Sequence, residues 1–395
     1  MKDMAAVNRR VEEILSQMTV EEKADLMCGD GMWFVRGVPR LGVPPMRMTD
    51  CGHGVTATGQ ERTLASCFPT AVGQAATWNV ELMERLGAAM GREVLATGNG
   101  LLLGPMINLH RMPLNGRSYE CYSEDPYLTG RMAAALVRGI QSQGAGACVK
   151  GCAANNQQAF QEQLNVIVDE RTLREIYLPG FATVVAEGRP WAVMTCYNGL
   201  NGEHSSACRH LLTDIVKNEW GFDGFIVSDW RGTHSPAVLT SGLDLEMPGP
   251  RPHRTQAVID AVKSGKLDEA VLDEAVRRVL LEAEFLQMLR RRVVRLLALL
   301  AQQPNDADIE AELERRAPDA HGLTFLPLLG GERSPGWVGG ATGSVAGLRL
   351  STQPLDILQA ALEGVALRLA LIALAAAGIA ALLALANLRR AAPPP

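Results

Sequence analysis

A chain of 395 residues, 47% of them hydrophobic and 21% charged, has the length for a large core and fits one barrel domain plus an appendage. Its formal net charge of −5 and sequence pI near 5.9 exclude the basic face that a nucleic-acid surface needs, so no nucleic-acid partner is expected. A mean hydropathy of +0.03 is high for a soluble enzyme and points to the apolar C-terminal segment.

Residues 1–22 are charged and amphipathic, with neither an apolar core segment nor a small-residue cleavage site. No secretory signal is expected, and the expected location is the cytoplasm. The eight cysteines (Cys28, Cys51, Cys67, Cys121, Cys148, Cys152, Cys196 and Cys208) all fall in the first 208 residues. Without a signal they are expected to be reduced, buried thiols. Cys148-Val149-Lys150-Gly151-Cys152 is not a metal-binding spacing, and no metal is expected.

From there, short apolar runs alternate with amphipathic stretches. A strand-like run ends at Met48-Thr49-Asp50. A helix over 81–97 precedes a strand at Leu101-Leu102-Leu103, and a helix over 130–143 precedes one at Ala147-Cys148-Val149-Lys150. A helix over 170–187, capped at Asp169 and carrying Arg–Glu pairs, precedes a strand at 191–195. Gly224 to Ser228 reads as a buried strand, Leu243-Asp244-Leu245 as another. Residues 255–292 read as helices separated at Gly265, with Asp268 or Asp273 as cap. This alternation predicts a parallel sheet, barrel or doubly wound. No glycine-rich phosphate loop follows any candidate strand, which favours a (β/α)8 TIM-like barrel over 1–290.

Beyond Arg290 the character changes to an incomplete, mostly helical and irregular appendage. It divides into a linker over 291–320, a glycine-rich and then helical piece over 321–368, an apolar helix over 369–388 and a proline tail over 389–395. The uncharged run from Leu369 is near the lower limit for spanning a bilayer. Alanine is only weakly hydrophobic, so membrane anchoring and self-association of a soluble helix both fit.

The most informative stretch is Ser228-Asp229-Trp230 at the end of a buried strand. In parallel α/β proteins strand carboxyl ends face the ligand, so an acid there is placed for chemistry. A carboxylate beside a flat aromatic suits a sugar; the competing assignment is a helix N-cap. Other motifs accompany it in order: Met48-Thr49-Asp50, Asn115-Gly116-Arg117-Ser118-Tyr119-Glu120, Lys150, Asn155-Asn156-Gln157, Tyr197-Asn198, and Gly242-Leu243-Asp244-Leu245-Glu246-Met247-Pro248.

The set over residues 10–285 closely resembles the N-terminal barrel domain of family 3 glycoside hydrolases, the β-glucosidase and β-xylosidase group. The resemblance implies that Asp229 is the catalytic nucleophile, that Asp50, Arg117, Lys150 and Tyr197 bind or shape the site around the terminal sugar, and that Trp230 is its aromatic wall. A retaining glycosidase needs a carboxylate to trap the oxocarbenium-like centre. Charged side chains hold sugar hydroxyls by strong hydrogen bonds. Each residue also has a structural alternative: an Arg117–Glu120 ion pair, a snorkelling Lys150, a turn-capping Asp50, a core Tyr197 with its hydroxyl satisfied.

Two positions depart from the family. Its histidine after the strand lysine is replaced by Gly151, followed by Cys152. The glutamate acid/base of two-domain members belongs to a following domain not found in this sequence, and Cys152-Ala153-Ala154-Asn155-Asn156 is not the histidine loop of single-domain members. Glu120 and Glu203, near site motifs, are the candidates that remain. No role in catalysis is expected for His53, His110, His204 or His234.

His321 to Pro327, Gly331 to Trp337 and Leu358 to Ala366 resemble part of the C-terminal domain of FGGY-type sugar kinases, over 304–372. The kinase's other lobe is missing, and no kinase activity is expected. The expected function is retaining hydrolysis of terminal β-linked glucosides or xylosides, impaired by the missing acid/base domain. The alternative is a non-catalytic sugar-binding barrel from a truncated or fused gene. The expected partner is a β-linked oligosaccharide or glycoside, with no cofactor.

Overall fold

The computed structural model describes residues 2–50, 53–56, 65–234, 238, 240–301, 324–326 and 344–346. They fall into two compact units, Met1–Met288 and Leu289–Pro395. The first opens with helices α1 (Lys2–Leu15) and α2 (Val20–Leu26), the latter held by a reciprocal capping box between Thr19 and Glu22. Strands β1 (Phe34–Val35) and β2 (Met46–Asp50) follow, then helices α3 (Ala71–Ala75) and α4 (Val80–Ala96). Next come β3 (Leu101–Leu103), α5 (Pro126–Ser142), β4 (Gly146–Cys152) and a short β5 (Asn165–Val166). The 170–188 region contains α6 (Glu170–Thr172) and α7 (Pro179–Thr183), each followed by a wide π-helical turn. Strands β6 (Ala192–Thr195), β7 (Gly199–Leu200) and β8 (Glu203–His204) lead to a π-helical segment His210–Glu219 and then β9 (Phe225–Val227). Helices α8 (Pro252–Lys263) and α9 (Glu269–Ala301) follow.

The main sheet has the order β1-β2-β3-β4-β6-β9. All its pairings are parallel except β1–β2, which is antiparallel. This corrects the expectation of a regular (β/α)8 barrel: the sheet is a curled, mixed half-barrel. The cause lies in residues 36–45, where Gly37, Pro39, Gly42, Pro44 and Pro45 leave only a 3-10 turn at Pro39–Leu41. A parallel crossover needs a dozen or more residues, whereas a short link gives an antiparallel pair. Single-residue bridges extend the sheet, parallel from Val227 to Leu245 and from Glu246 to Cys28, and antiparallel from Asp30 to Phe34. The strand expected at 243–245 is reduced to such bridges. The Asp244 carboxylate takes the Ile226 N–H at 2.7 Å, and the Asp244 and Leu245 amides share the Ile226 carbonyl.

Alternation along the strands divides two cores. Leu102, Val149, Val193 and Ile226 face α4, α5 and α7. Met46, Met48, Leu101, Leu103, Met194, Phe225 and Val227 fill the other side with residues of α1, α2, α8 and α9. Fully apolar strands are what a sheet buried on both faces requires. Helices α4 and α5 approach through glycine: a Cβ on Gly139 would lie 2.0 Å from the Glu84 carbonyl oxygen. Six cysteines are buried free thiols as expected, but Cys67 is exposed, and Cys51 lies outside the described residues.

Of the second unit, the structure describes only the end of α9 and the antiparallel pair β10 (Thr324–Leu326) and β11 (Ser344–Ala346). The apolar run 369–388 and the tail lie outside the described residues. Among the described residues no helix is long and apolar enough to cross a membrane.

Candidate functional site

The parallel strands deliver the singled-out residues to one end of the sheet. Asp50 ends β2, Lys150 lies near the end of β4, Tyr197 follows β6 and Asp229 follows β9. Arg117 sits in the loop after β3 and leads into a 3-10 turn, Ser118–Glu120. Because β2, β3, β4, β6 and β9 are consecutive in the sheet, their carboxyl ends converge.

Lys150 does not snorkel. It is 6% exposed, and its Nζ lies 2.9 Å from Asp50 Oδ1 and 3.7 Å from Glu120 Oε2. Arg117 grips Glu120 with both arms of its guanidinium, Nε–Oε1 at 3.0 Å and Nη2–Oε2 at 2.8 Å. The ion pair that is the structural alternative for Arg117 is therefore present, but the guanidinium also acts electrostatically on Asp229 and Asp50. Although burial alone would raise Glu120, its bonds to Arg117 and the charge of Lys150 bring its carboxyl below the usual range. Both Glu120 oxygens are taken up by the Arg117 guanidinium, with Lys150 beside them, an arrangement that favours a carboxylate in an ion pair over a proton donor. Glu203 is exposed on the β7–β8 hairpin.

Asp229 is half-buried. Its Oδ1 accepts the N–H of Trp230 at 2.7 Å, and its own N–H points to Thr195 Oγ1 at 3.4 Å. An N-cap would take the amide two or three residues on, so this is not the helix-capping geometry. Burial raises the Asp229 carboxyl above the ordinary aspartate range, opposed by the Trp230 amide, the Tyr197 hydroxyl, Arg117 and Lys150. Tyr197 is half-buried, and burial together with the Asp229 charge pushes its phenol up. That keeps the hydroxyl protonated as a donor to the carboxylate. The Trp230 ring lies 5.3 Å from that of Trp33, tilted by 39°, and its Nε1–H donates to the Met32 carbonyl at 2.9 Å. All six singled-out residues thus meet at one end of the sheet.

Sequence reasoning missed Trp33, Thr195 and the edge-to-face contact of Tyr119 with His53, ring centroids 5.3 Å apart. Trp33 reaches Trp230 only because the 28–35 hairpin returns beside residues 246–247, a long-range pairing with no local signal. Gly151 has φ +89°, and a Cβ there would lie 2.0 Å from Asn108 Nδ2. The side chain of Asn108, whose Oδ1 accepts the Asn155 N–H at 2.9 Å, occupies that space.

Residues 29–281 match the model of the glycosyl hydrolase family 3 N terminal domain. The chain belongs to this family. Among its relatives, thermostable β-glucosidase B of Acetivibrio thermocellus is 48% identical over 279 residues, covering 68% of this chain and 37% of that protein. A β-glucosidase of Rhizobium radiobacter is 44% identical over 277 residues, 69% of this chain and 34% of its own. The chain therefore spans about a third of the length of these curated relatives. Among solved structures, β-glucosidase 3B of Thermotoga neapolitana in complex with α-D-glucose superposes with a TM-score of 0.65 at 43% identity, covering 68% of this chain and 41% of that one. The Kluyveromyces marxianus β-glucosidase in complex with glucose gives 0.68 at 38%, covering 70% and 34%. Residues 280–381 match the C-terminal domain of the FGGY family of carbohydrate kinases, a stretch that lies mostly outside the described residues.

Proposed function

We propose that this family 3 domain hydrolyses terminal β-linked glucosides or xylosides with retention, and that Asp229 is the nucleophile. The observation that carries the proposal is the seating of the Asp229 carboxylate at the end of β9, where Tyr197 and the Trp230 amide hold it and Arg117 and Lys150 act on it electrostatically. Asp50, Lys150 and Arg117 supply charged acceptors and donors for the hydroxyls of the terminal sugar, and Trp230 offers an apolar ring face. The glucose complexes of the Thermotoga neapolitana and Kluyveromyces marxianus enzymes support a glucoside. In this mechanism an Asp229 oxygen attacks the anomeric carbon as the glycosidic C–O bond breaks, and water then hydrolyses the glycosyl–enzyme ester.

The test is trapping with 2,4-dinitrophenyl 2-deoxy-2-fluoro-β-glucoside. The expected result is a mass increase of one fluoroglucosyl group on the peptide containing Asp229, absent from Asp229→Asn. Labelling elsewhere, or undiminished turnover of the unfluorinated aryl glucoside by that variant, overturns the assignment.

A further inference from the structure

Residues 242–248 contribute no group to the site described above, yet the turn that bears Asp229 hangs on them. The Ser228 N–H donates to the Leu245 carbonyl at 2.9 Å, the Met247 N–H to Ser228 Oγ at 2.9 Å, and the Arg231 N–H to the Met247 carbonyl at 2.9 Å. Arg231 has φ +66°. A residue other than glycine keeps such a left-handed conformation only where its surroundings hold it. The turn closes with the Gly232 N–H on the Asp229 carbonyl at 2.9 Å, and the Gly232 carbonyl takes the Ser206 hydroxyl at 2.7 Å. Glu246 ties down the far end. It is 7% exposed, and its Oε1 accepts the hydroxyl of Thr233, four residues after the nucleophile, at 2.5 Å. Two arginines hold the same carboxylate from α8 and its N-cap, Arg254 Nε at 3.1 Å from Oε2 and Arg251 Nε at 3.6 Å from Oε1. The backbone of Glu246 steadies the other neighbour of the nucleophile. Its N–H donates to the Met27 carbonyl at 2.8 Å and its carbonyl accepts the Gly29 N–H at 3.0 Å. These bonds fasten the 28–35 hairpin, whose Met32 carbonyl takes the Trp230 indole N–H.

We propose that the Glu246–Thr233 contact is a positioning device that sets the aim of the Asp229 carboxylate. The inference rests on Asp229 being the nucleophile. Glu246 and Thr233 act through the backbone of the 228–233 turn rather than on the reacting atoms. Charge-assisted contacts with Arg254 and Arg251 fix the carboxylate in space, so the Thr233 hydroxyl has an immobile acceptor. Without that bond the end of the turn is released, the strained backbone at Arg231 relaxes, and the carboxylate drifts from the line of attack. The groups assigned to the sugar hydroxyls stand on other elements, Asp50 on β2, Lys150 on β4 and Arg117 in the loop after β3. Losing the contact therefore slows bond formation and leaves sugar binding in place. An ion pair that merely joined α8 to the sheet would not make that distinction.

Misplacing a reacting group by about 1 Å costs about 100-fold in rate. The test measures trapping of the full chain by 2,4-dinitrophenyl 2-deoxy-2-fluoro-β-glucoside as a function of reagent concentration, followed by mass. It gives a saturating rate of ester formation and, separately, a dissociation constant for the reagent, and unfolded molecules do not enter the rate. Thr233→Val is expected to lower the saturating rate at least tenfold, roughly the cost of a sub-ångström shift, with the dissociation constant within about threefold of the unaltered chain. Thr233→Ser restores the hydroxyl and is expected to recover the rate. If the two residues act as one device, the double variant Thr233→Val with Glu246→Gln is no slower than the slower single variant. A smaller rate loss in Thr233→Val, a weakened dissociation constant with the rate intact, a serine variant no faster than the valine one, or losses that multiply in the double variant overturns the proposal and leaves Asp229 standing. An unaltered chain that is not trapped, or is labelled away from Asp229, overturns the underlying hydrolase reading and this proposal with it.

Discussion

Replacing Arg117 by methionine separates the structural and functional parts of the site. The Glu120 side chain is 8% exposed and has three charge-bearing contacts: two from Arg117 at 3.0 and 2.8 Å, and Lys150 at 3.7 Å. The substitution removes the two short ones and leaves a buried carboxylate facing a lysine already committed to Asp50. Breaking one side of a buried pair costs about 3–5 kcal/mol. For a unit of this size that is roughly a 6–10 °C drop in Tm. Adding Glu120→Gln removes the stranded charge, so most of the lost stability should return, a coupling of about 2 kcal/mol or more. Activity should not return, because the guanidinium that faces Asp229 and Asp50 is still gone. The assay is thermal unfolding followed by tryptophan fluorescence, with initial rates on dinitrophenyl β-glucoside measured on the same samples. A Tm loss below about 2 °C for Arg117→Met refutes the burial argument. Recovery of rate together with Tm in the double variant reduces Arg117 to a scaffold residue.

The raised carboxyl of Asp229 predicts that kcat/KM on the activated glucoside falls, with decreasing pH, at a higher pH than an ordinary aspartate would give, and that Arg117→Met moves this limb higher still; a limb at the ordinary aspartate value contradicts the burial of the nucleophile. The same shift has a stability sign: between the ordinary and the raised pKa the folded chain binds more protons than the unfolded one, so this group's contribution falls as pH rises through that window. Asp229→Asn should flatten that part of a Tm–pH curve. Beside the middle of β9, Lys217 Nζ lies 2.6 Å from Asp244 Oδ1, with the Asp244 side chain 1% exposed. Burial raises the Asp244 carboxyl and lowers the Lys217 ammonium, each opposed by its partner. Asp244→Leu strands Lys217 and the Ile226 amide and should cost about 3–5 kcal/mol in urea unfolding; a cost below about 1 kcal/mol shows the pair to be dispensable.

The central strands were legible because they are buried on both faces, so Leu101–Leu103 and Phe225–Val227 read as unbroken apolar runs. Strand β1 has two residues and offers no period to detect. The helix at 170–188 was legible as helical but not its two wide turns. Pro179 has no N–H to continue the ladder, and the Leu178 N–H reaches back five residues to Leu173 just before it. The charged site residues were legible because an Asp, Lys or Tyr at the end of an apolar run has no packing reason to be there. Their pairings were not, since Lys150 meets Asp50 across 100 residues and Trp230 meets the Met32 carbonyl across 198.

The position after the strand lysine shows how a local departure is absorbed. At Gly151 the backbone turns through φ +89°, a conformation glycine adopts without cost and a histidine does not. The space a side chain would take belongs to Asn108, 2% exposed and tied to the Asn155 backbone. Asn108 lies in the loop after β3, the same connection that carries Arg117, so the carboxamide braces the end of β4 against the loop that supplies the guanidinium. A histidine at 151 would have to displace Asn108 and relieve the positive φ together. The lysine strand is thus built around its glycine. If the proposed site holds a sugar, a hydrogen bond that Gly151 cannot make would have to be supplied by other loops at this end of the sheet.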